Sequence, residues 1–179
     1  PLATSVDDAR AVVVAAENAG VAGAVPFVYR YHPVVRQARE LVATGAVGRI
    51  LTIDGAYLQD WLLDAGDTDW RADAAAGGAS RAFADIGSHL CDLLEFVTGR
   101  RIVALSARTS TVFDTRAGAP VANEDIAAVV VELEGGALGT LLVSQLAPGR
   151  KNGLVLELHG SSRSLRFAQE RSEGLWIGS

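Results

Sequence analysis

The 179-residue sequence has no methionine, one cysteine and one lysine. A lone cysteine, Cys91, excludes an internal disulfide framework and fits a reducing compartment such as the cytoplasm. With Lys151 as the one lysine, scattered arginines and a net charge of −5, there is no basic patch of the kind a nucleic-acid binder needs, so nucleic acid is not an expected partner. The longest apolar run, around Ile126 to Val131, is strand-sized and far short of the ~20 residues of a membrane-spanning helix, so no membrane partner is expected either. The missing methionine means that the chain does not open at its own start codon, and it is read as a piece of a longer protein.

What is present is a composition of 49% hydrophobic and 21% charged residues, enough for one globular domain plus a fragment of another. Thr4-Ser5-Val6-Asp7-Asp8 reads as a helix start, with Ala9, Val12, Val13 and Ala16 at helical spacing and Gly20 as the stop. Val21 to Tyr31 is β-branched and aromatic enough to predict a strand, with Pro26 placing it at an edge. Pro33 opens a second helix whose stripe is Val34, Ala38, Leu41 and Val42. Arg49 to Leu58 alternates as a strand, and a long polar stretch, Gln59 to Ala84, follows. Asp85 to Val97 returns to helical spacing. From Ile102 onward six segments read as strands (102–114, 125–134, 137–146, 154–159, 164–168 and 175–177), with Gly135-Gly136 as a hairpin turn. Helices followed by antiparallel strands predict an α+β fold: a large, mostly antiparallel β-sheet with helices packed on one face.

The segment Asp85-Ile86-Gly87-Ser88-His89-Leu90-Cys91-Asp92 carries the most chemistry. On an α-helix Asp85 and His89 are i and i+4 and share a face, which Asp92 continues. A carboxylate beside an imidazole raises its proton affinity and suits a general base near neutral pH. The same spacing also makes an ordinary helix ion pair. A metal site built from Asp85, His89 and Asp92 is a further reading, but His32 and His159 stand in unrelated contexts and no metal is expected. The glycines at 135–139 lie between strands and so do not form a dinucleotide loop, which needs a helix after the turn. Gln59, Asp60, Asp69 and Arg71 beside Trp61 and Trp70 have the composition of a sugar pocket, with Arg71 alternatively neutralising a phosphate. Cys91, among leucines, reads as a small buried hydrophobe.

The order of these motifs is more specific than any one of them. Tyr29-Arg30-Tyr31-His32-Pro33, Gly45-Ala46-Val47-Gly48, Asp69-Trp70-Arg71, Gly77-Gly78 and Asp85-Ile86-Gly87-Ser88-His89 follow in a series that resembles the glucose–fructose oxidoreductase / inositol dehydrogenase family, Gfo/Idh/MocA. The resemblance implies that residues 1–31 link to an absent Rossmann domain and that 32–179 form a substrate-binding and oligomerisation domain, truncated at its C-terminus. It implies a dehydrogenase using NAD or NADP, held mainly by the absent domain, on a hydroxyl of a sugar or polyol. This piece alone would then be inactive. His89 would be the general base and Asp85 its partner. Arg30, Trp70, Arg71, Gly77 and Gly78 would lie near substrate or cofactor. Pro1-Leu2-Ala3 resembles the end of the family's Glu-Lys-Pro motif, whose lysine would precede Pro1. A homodimer or homotetramer through the sheet is expected. Ala79, where the family has a third glycine, and the insertion-like Ser80-Arg81-Ala82 depart from the pattern. The alternative is a non-catalytic sugar-binding or oligomerisation module of the same fold.

Overall fold

The computed structural model describes residues 2–179. Pro1, the first residue of the expected motif remnant, lies outside the described residues. Helix α1 (Val6–Ala19) starts at Ser5, whose side chain accepts from the Asp8 amide, and ends at Gly20 in the left-handed conformation. No residue of α1 is buried, and Val12, Val13 and Val14 stand exposed.

The strand expected over Val21 to Tyr31 does not form. Residues 21–27 have no regular structure, and Val28–Tyr31 make a single 3-10 turn. Gly23 and Pro26 weaken a strand. A strand also needs a neighbour, and this segment joins neither sheet. Val21, Val25 and Val28 are exposed, so no packing force draws them to an edge. Only Tyr29 is buried there, which ties the turn to the core.

Helix α2 (Pro33–Ala43) carries proline in its first turn, and the His32 side chain accepts from the Val34 amide. Strand β1 (Ile50–Leu58) follows. The polar stretch after it holds a 3-10 turn, Trp70–Ala72, and a one-turn helix α3 (Ala74–Gly77). The expected helix over Asp85 to Val97 begins as a π-helical turn, Phe83–Gly87, that runs into helix α4 (Ser88–Thr98). Next come β2 (Ile102–Ser110), the short pair β3 (Thr115–Arg116) and β4 (Ala119–Pro120), β5 (Ile126–Leu133), β6 (Leu138–Ser144), β7 (Gly153–Gly160), β8 (Ser164–Ala168) and β9 (Trp176–Gly178). β2 stops four residues before the expected Asp114, because the Val112 amide turns to Asp125 Oδ2 at 2.7 Å.

Seven strands form one sheet in the order β2-β5-β6-β1-β7-β8-β9. All neighbours are antiparallel except β1 and β6, which run parallel from Thr52/Leu138 to Leu58/Ser144. The β5–β6 hairpin turns through Gly135 and Gly136 at φ +88° and +81°, a conformation that favours glycine at both positions.

Alternation along the strands explains the layering. In β5, Ala127, Val129, Val131 and Leu133 point inward and are buried, while Ala128, Val130 and Glu132 are exposed. Helices α2 and α4 cover the inner face, with Val35, Ala38, Leu90, Leu93 and Leu94 against Ile53, Leu141, Leu156, Leu158, Leu165 and Phe167 in one cluster. The fold is therefore the expected α+β sheet with helices on one face. The opposite face is open, with Val130, Leu138 and Leu142 exposed. Among the described residues no helix is long and apolar enough to cross a membrane. Leu90 has no exposed surface. We predict that Leu90→Ala lowers the free energy of unfolding by about 2–5 kcal/mol, measured by urea denaturation.

Candidate active site

The polar stretch between β1 and α4 is pinned to the sheet by buried charge. Asp125, immediately before β5, has no exposed side-chain surface. Its Oδ1 takes Arg81 Nη2 and Arg116 Nη2, the latter at 2.7 Å. Arg116 also donates to the carbonyls of Leu62 and Asp64, at 2.9 and 2.8 Å. Next to it, Glu124 accepts from the amides of Arg81 and Phe83 and from the Ser80 hydroxyl, which fixes the entry to the π turn. Asn123 donates to the carbonyls of Arg71 and Gly78. Asn123, Glu124 and Asp125 thus clasp the loop along much of its length.

The clasp shapes two adjoining cavities. The first, about 370 Å³, is lined by His89, Asp85 and Ile86 from the helical side, Tyr57 from β1, and Gln59, Trp61, Asp69 and Arg71 from the loop. The second, about 580 Å³, shares Arg71 and Asp85 and adds Leu2 to Thr4, Trp70 and Gly77 to Arg81. Gly77 is required by close approach, since a Cβ there would fall 2.3 Å from the Arg71 carbonyl oxygen.

Asp85 and His89 do line one cavity, as the helical spacing predicts, but they are not a bonded pair. Asp85 Oδ2 accepts from Gln145 Nε2 at 3.0 Å, and Oδ1 faces Arg71 Nε at 3.4 Å. Asp85 lies in the π turn Phe83–Gly87, so its offset from His89 is not that of a regular α-helix. Asp92, expected on the same face, turns away to a doubly bonded ion pair with Arg30. The two acidic residues are thus committed to different arginines, and among the described residues no group of three or more His, Cys, Asp or Glu is placed to hold a metal ion.

The His89 ring packs edge-on against Phe27 at 5.5 Å and Tyr29 at 5.7 Å. Its Nδ1 is buried without a hydrogen-bond partner among the described residues. Burial holds the imidazole pKa below its usual value, and the charges of Asp85 and Asp92 work against that. Behind the histidine, Tyr29 and Tyr57 bond hydroxyl to hydroxyl at 2.7 Å, and Tyr57 donates to Asn152 Oδ1 at 2.5 Å. Burial, and then the bond to Tyr29, push the Tyr57 hydroxyl far above the usual phenol pKa, so it stays protonated. Burial likewise raises the Cys91 thiol to about 11, in keeping with a packed, unreactive side chain.

Arg71 is bound between Asp69, at 3.1 Å, and Asp85, and its guanidinium lies 4.5 Å from the Trp70 ring centre. Two carboxylates already face it, which leaves little free positive charge for a phosphate. Arg30 lines neither cavity; it sits over the Phe27 ring, which in turn contacts His89. Sequence reasoning missed Tyr57, Gln145 and the Asn123–Asp125 clasp. The polar run Asn123-Glu124-Asp125, set directly before an apolar strand, was the available signal for the clasp.

A family model for the GFO/IDH/MocA C-terminal domain matches residues 35–166. A levoglucosan dehydrogenase of Pseudarthrobacter phenanthrenivorans is 31% identical over 99% of this chain and 50% of its own length. Among solved structures, an oxidoreductase domain protein from Kribbella flavida is 38% identical, with a TM-score of 0.90 over 99% of this chain and 49% of its own. A levoglucosan dehydrogenase in complex with NADH and L-sorbose is 32% identical, with a TM-score of 0.90 over 99% of this chain and 48% of its own. The chain spans about half the length of the relatives it matches.

Asp125→Ala leaves two buried guanidiniums without their shared carboxylate and is expected to cost about 3–5 kcal/mol of stability, measured by chemical denaturation. The His89 ring, followed by NMR, is expected to titrate below the ordinary histidine value, and Asp85→Asn should lower it further because a charge that favours the cation is gone. Since the unfolded chain takes up that proton first, stability falls as pH drops below about 6.5.

Proposed function

Because this chain belongs to the GFO/IDH/MocA family, we propose that it is the substrate-binding part of an NAD(P)-dependent oxidoreductase acting on a hydroxyl group of a sugar or polyol. The observation that carries this reading is the convergence of His89, Asp85, Asp69, Arg71, Gln59 and Trp61 on one 370 Å³ cavity beside a glycine-walled cleft. The levoglucosan dehydrogenase relative and a solved levoglucosan dehydrogenase in complex with NADH and L-sorbose support the same class of reaction.

In the proposed reaction His89 takes the hydroxyl proton as a general base. As the O–H bond breaks, the oxygen forms a C=O bond and the carbon's hydrogen leaves with its electron pair as hydride. A nicotinamide, when bound, would supply the hydride acceptor. The depressed pKa keeps His89 in the basic form at neutral pH. Asp85 acts on His89 through its charge, which favours the imidazolium formed when the proton arrives. Gln59 and Asp69 offer hydrogen-bonding partners for hydroxyls, and the Trp61 ring offers a face for the apolar side of a sugar. The second cavity, bordered by Trp70, Arg71, Gly77 and Gly78, would hold the part of the cofactor nearest the substrate. Most of the cofactor contact belongs to a nucleotide-binding domain outside this chain, so the chain alone is proposed to be inactive. Arg30 contributes by supporting Phe27 against the His89 ring.

The open sheet face, with Val130, Leu138 and Leu142 exposed, supports a homodimer or homotetramer built through the sheet. That face also favours the second reading, a non-catalytic oligomerisation or sugar-binding module of the same fold. The two part company at His89. In the full-length protein, a screen of sugars and polyols with NAD and NADP is expected to show cofactor reduction, and His89→Ala is expected to lower kcat by about 10²–10⁴-fold. Turnover that is unchanged in that variant refutes the assignment of His89. Activity should also fall on the acid side as His89 protonates, with burial holding that fall to the acid side of an ordinary histidine; a kcat/KM profile against pH checks this.

A further inference from the structure

Asp85 is held from beneath by a residue outside its own helix. Gln145 follows the last residue of β6 and has no exposed surface. Its backbone is fixed on both sides: the amide donates to the Asp125 carbonyl at 3.2 Å, and the carbonyl accepts from Leu62 at 3.4 Å. Its side-chain Nε2 donates to Asp85 Oδ2 at 3.0 Å, while Oε1 is buried with no hydrogen-bond partner among the described residues.

The direction of this amide follows from charge. An amide oxygen against the Asp85 carboxylate would repel it, so the NH₂ must face Asp85. Oε1 then points away from the carboxylate. With Arg71 at Oδ1 and Gln145 at Oδ2, both carboxylate oxygens are occupied and neither is turned to His89. We propose that Gln145 is a positioning residue for the reaction, fixing the Asp85 carboxylate at the edge of the substrate cavity so that its charge acts on His89 from a constant place. The proposal rests on the assignment of Asp85 and His89 given above. A preorganised charge costs no rearrangement when the imidazolium forms. The fixing also runs to the clasp, because the carbonyl that holds Gln145 belongs to Asp125, the residue that pins the loop.

The test is a double-mutant cycle in the full-length protein with its best sugar or polyol substrate. Gln145→Met keeps the length of the side chain and removes the donor. It is expected to lower kcat about tenfold with KM changed less than about twofold, as for loss of one hydrogen bond to a charged group. In an Asp85→Asn background the same substitution is expected to change kcat less than about twofold, because the two residues act as one unit. Equal losses in both backgrounds, or no loss in the first, overturn the proposal. If Gln145→Met does not fold, Gln145→Asn, whose amide stops one methylene short of the carboxylate, goes through the same cycle with the same criteria. A protein that loses activity with His89→Ala but not with either Gln145 variant defeats this inference alone. A full-length protein with no turnover on any sugar or polyol defeats the dehydrogenase reading and this inference with it.

Discussion

The site depends on one buried carboxylate. Asp125 lies between Arg81 and Arg116 with no solvent to screen any of the three charges. Two guanidiniums forced together without it would repel, and each would sit unpaired in a medium that charges avoid. Such a triad adds little net stability against an apolar replacement of the same volume. What it does is fix a register. Arg116 gathers the carbonyls of Leu62 and Asp64, and Arg81 stands at the mouth of the π turn that carries Asp85. A long loop, which would otherwise keep much of its conformational freedom, is thereby tied to the residues just before β5.

The sheet does the rest of the positioning. β1 and β6 run parallel side by side, so their C-terminal ends reach the same edge. β1 delivers Tyr57 and, just beyond its end, Gln59 and Trp61; β6 delivers Gln145. Helix α4 lies across the inner face with Leu90, Leu93 and Leu94 buried, and this burial aims its N-terminal end, with His89, at that edge. The layering that buries the core and the convergence of polar groups are one arrangement. The apolar inner face sets where the helix lies, and the ends of the strands set what it meets.

Much of this was legible in the chain. Periodicity and turn chemistry located α1, α2, α4, β1, β2 and β5 to β9, but not the short pair β3 and β4, because alternation and helical spacing are local consequences of which face is buried. Gly135-Gly136 specified its hairpin because a tight turn there needs positive φ twice. The segment 21–31 went the other way: its β-branched content favoured a strand, but it pairs with no strand of either sheet. Propensity can propose a strand, and only a neighbour can complete one.

The candidate site divides along the same line. The sequence by itself determined that Asp85 and His89 lie close together, that Trp70 and Arg71 precede a glycine pair, and that the motifs stand in a family's order, since each depends on residues near one another in the chain. Only the tertiary structure decided the partners. Asp85 meets Gln145, 60 residues away, and Arg30 meets Asp92, 62 residues away. The clasp at Asn123–Asp125 reaches back between 41 and 52 residues to the loop. Contacts at such separations are set by strand order and by a widened helical turn, and neither leaves a periodic mark in the sequence.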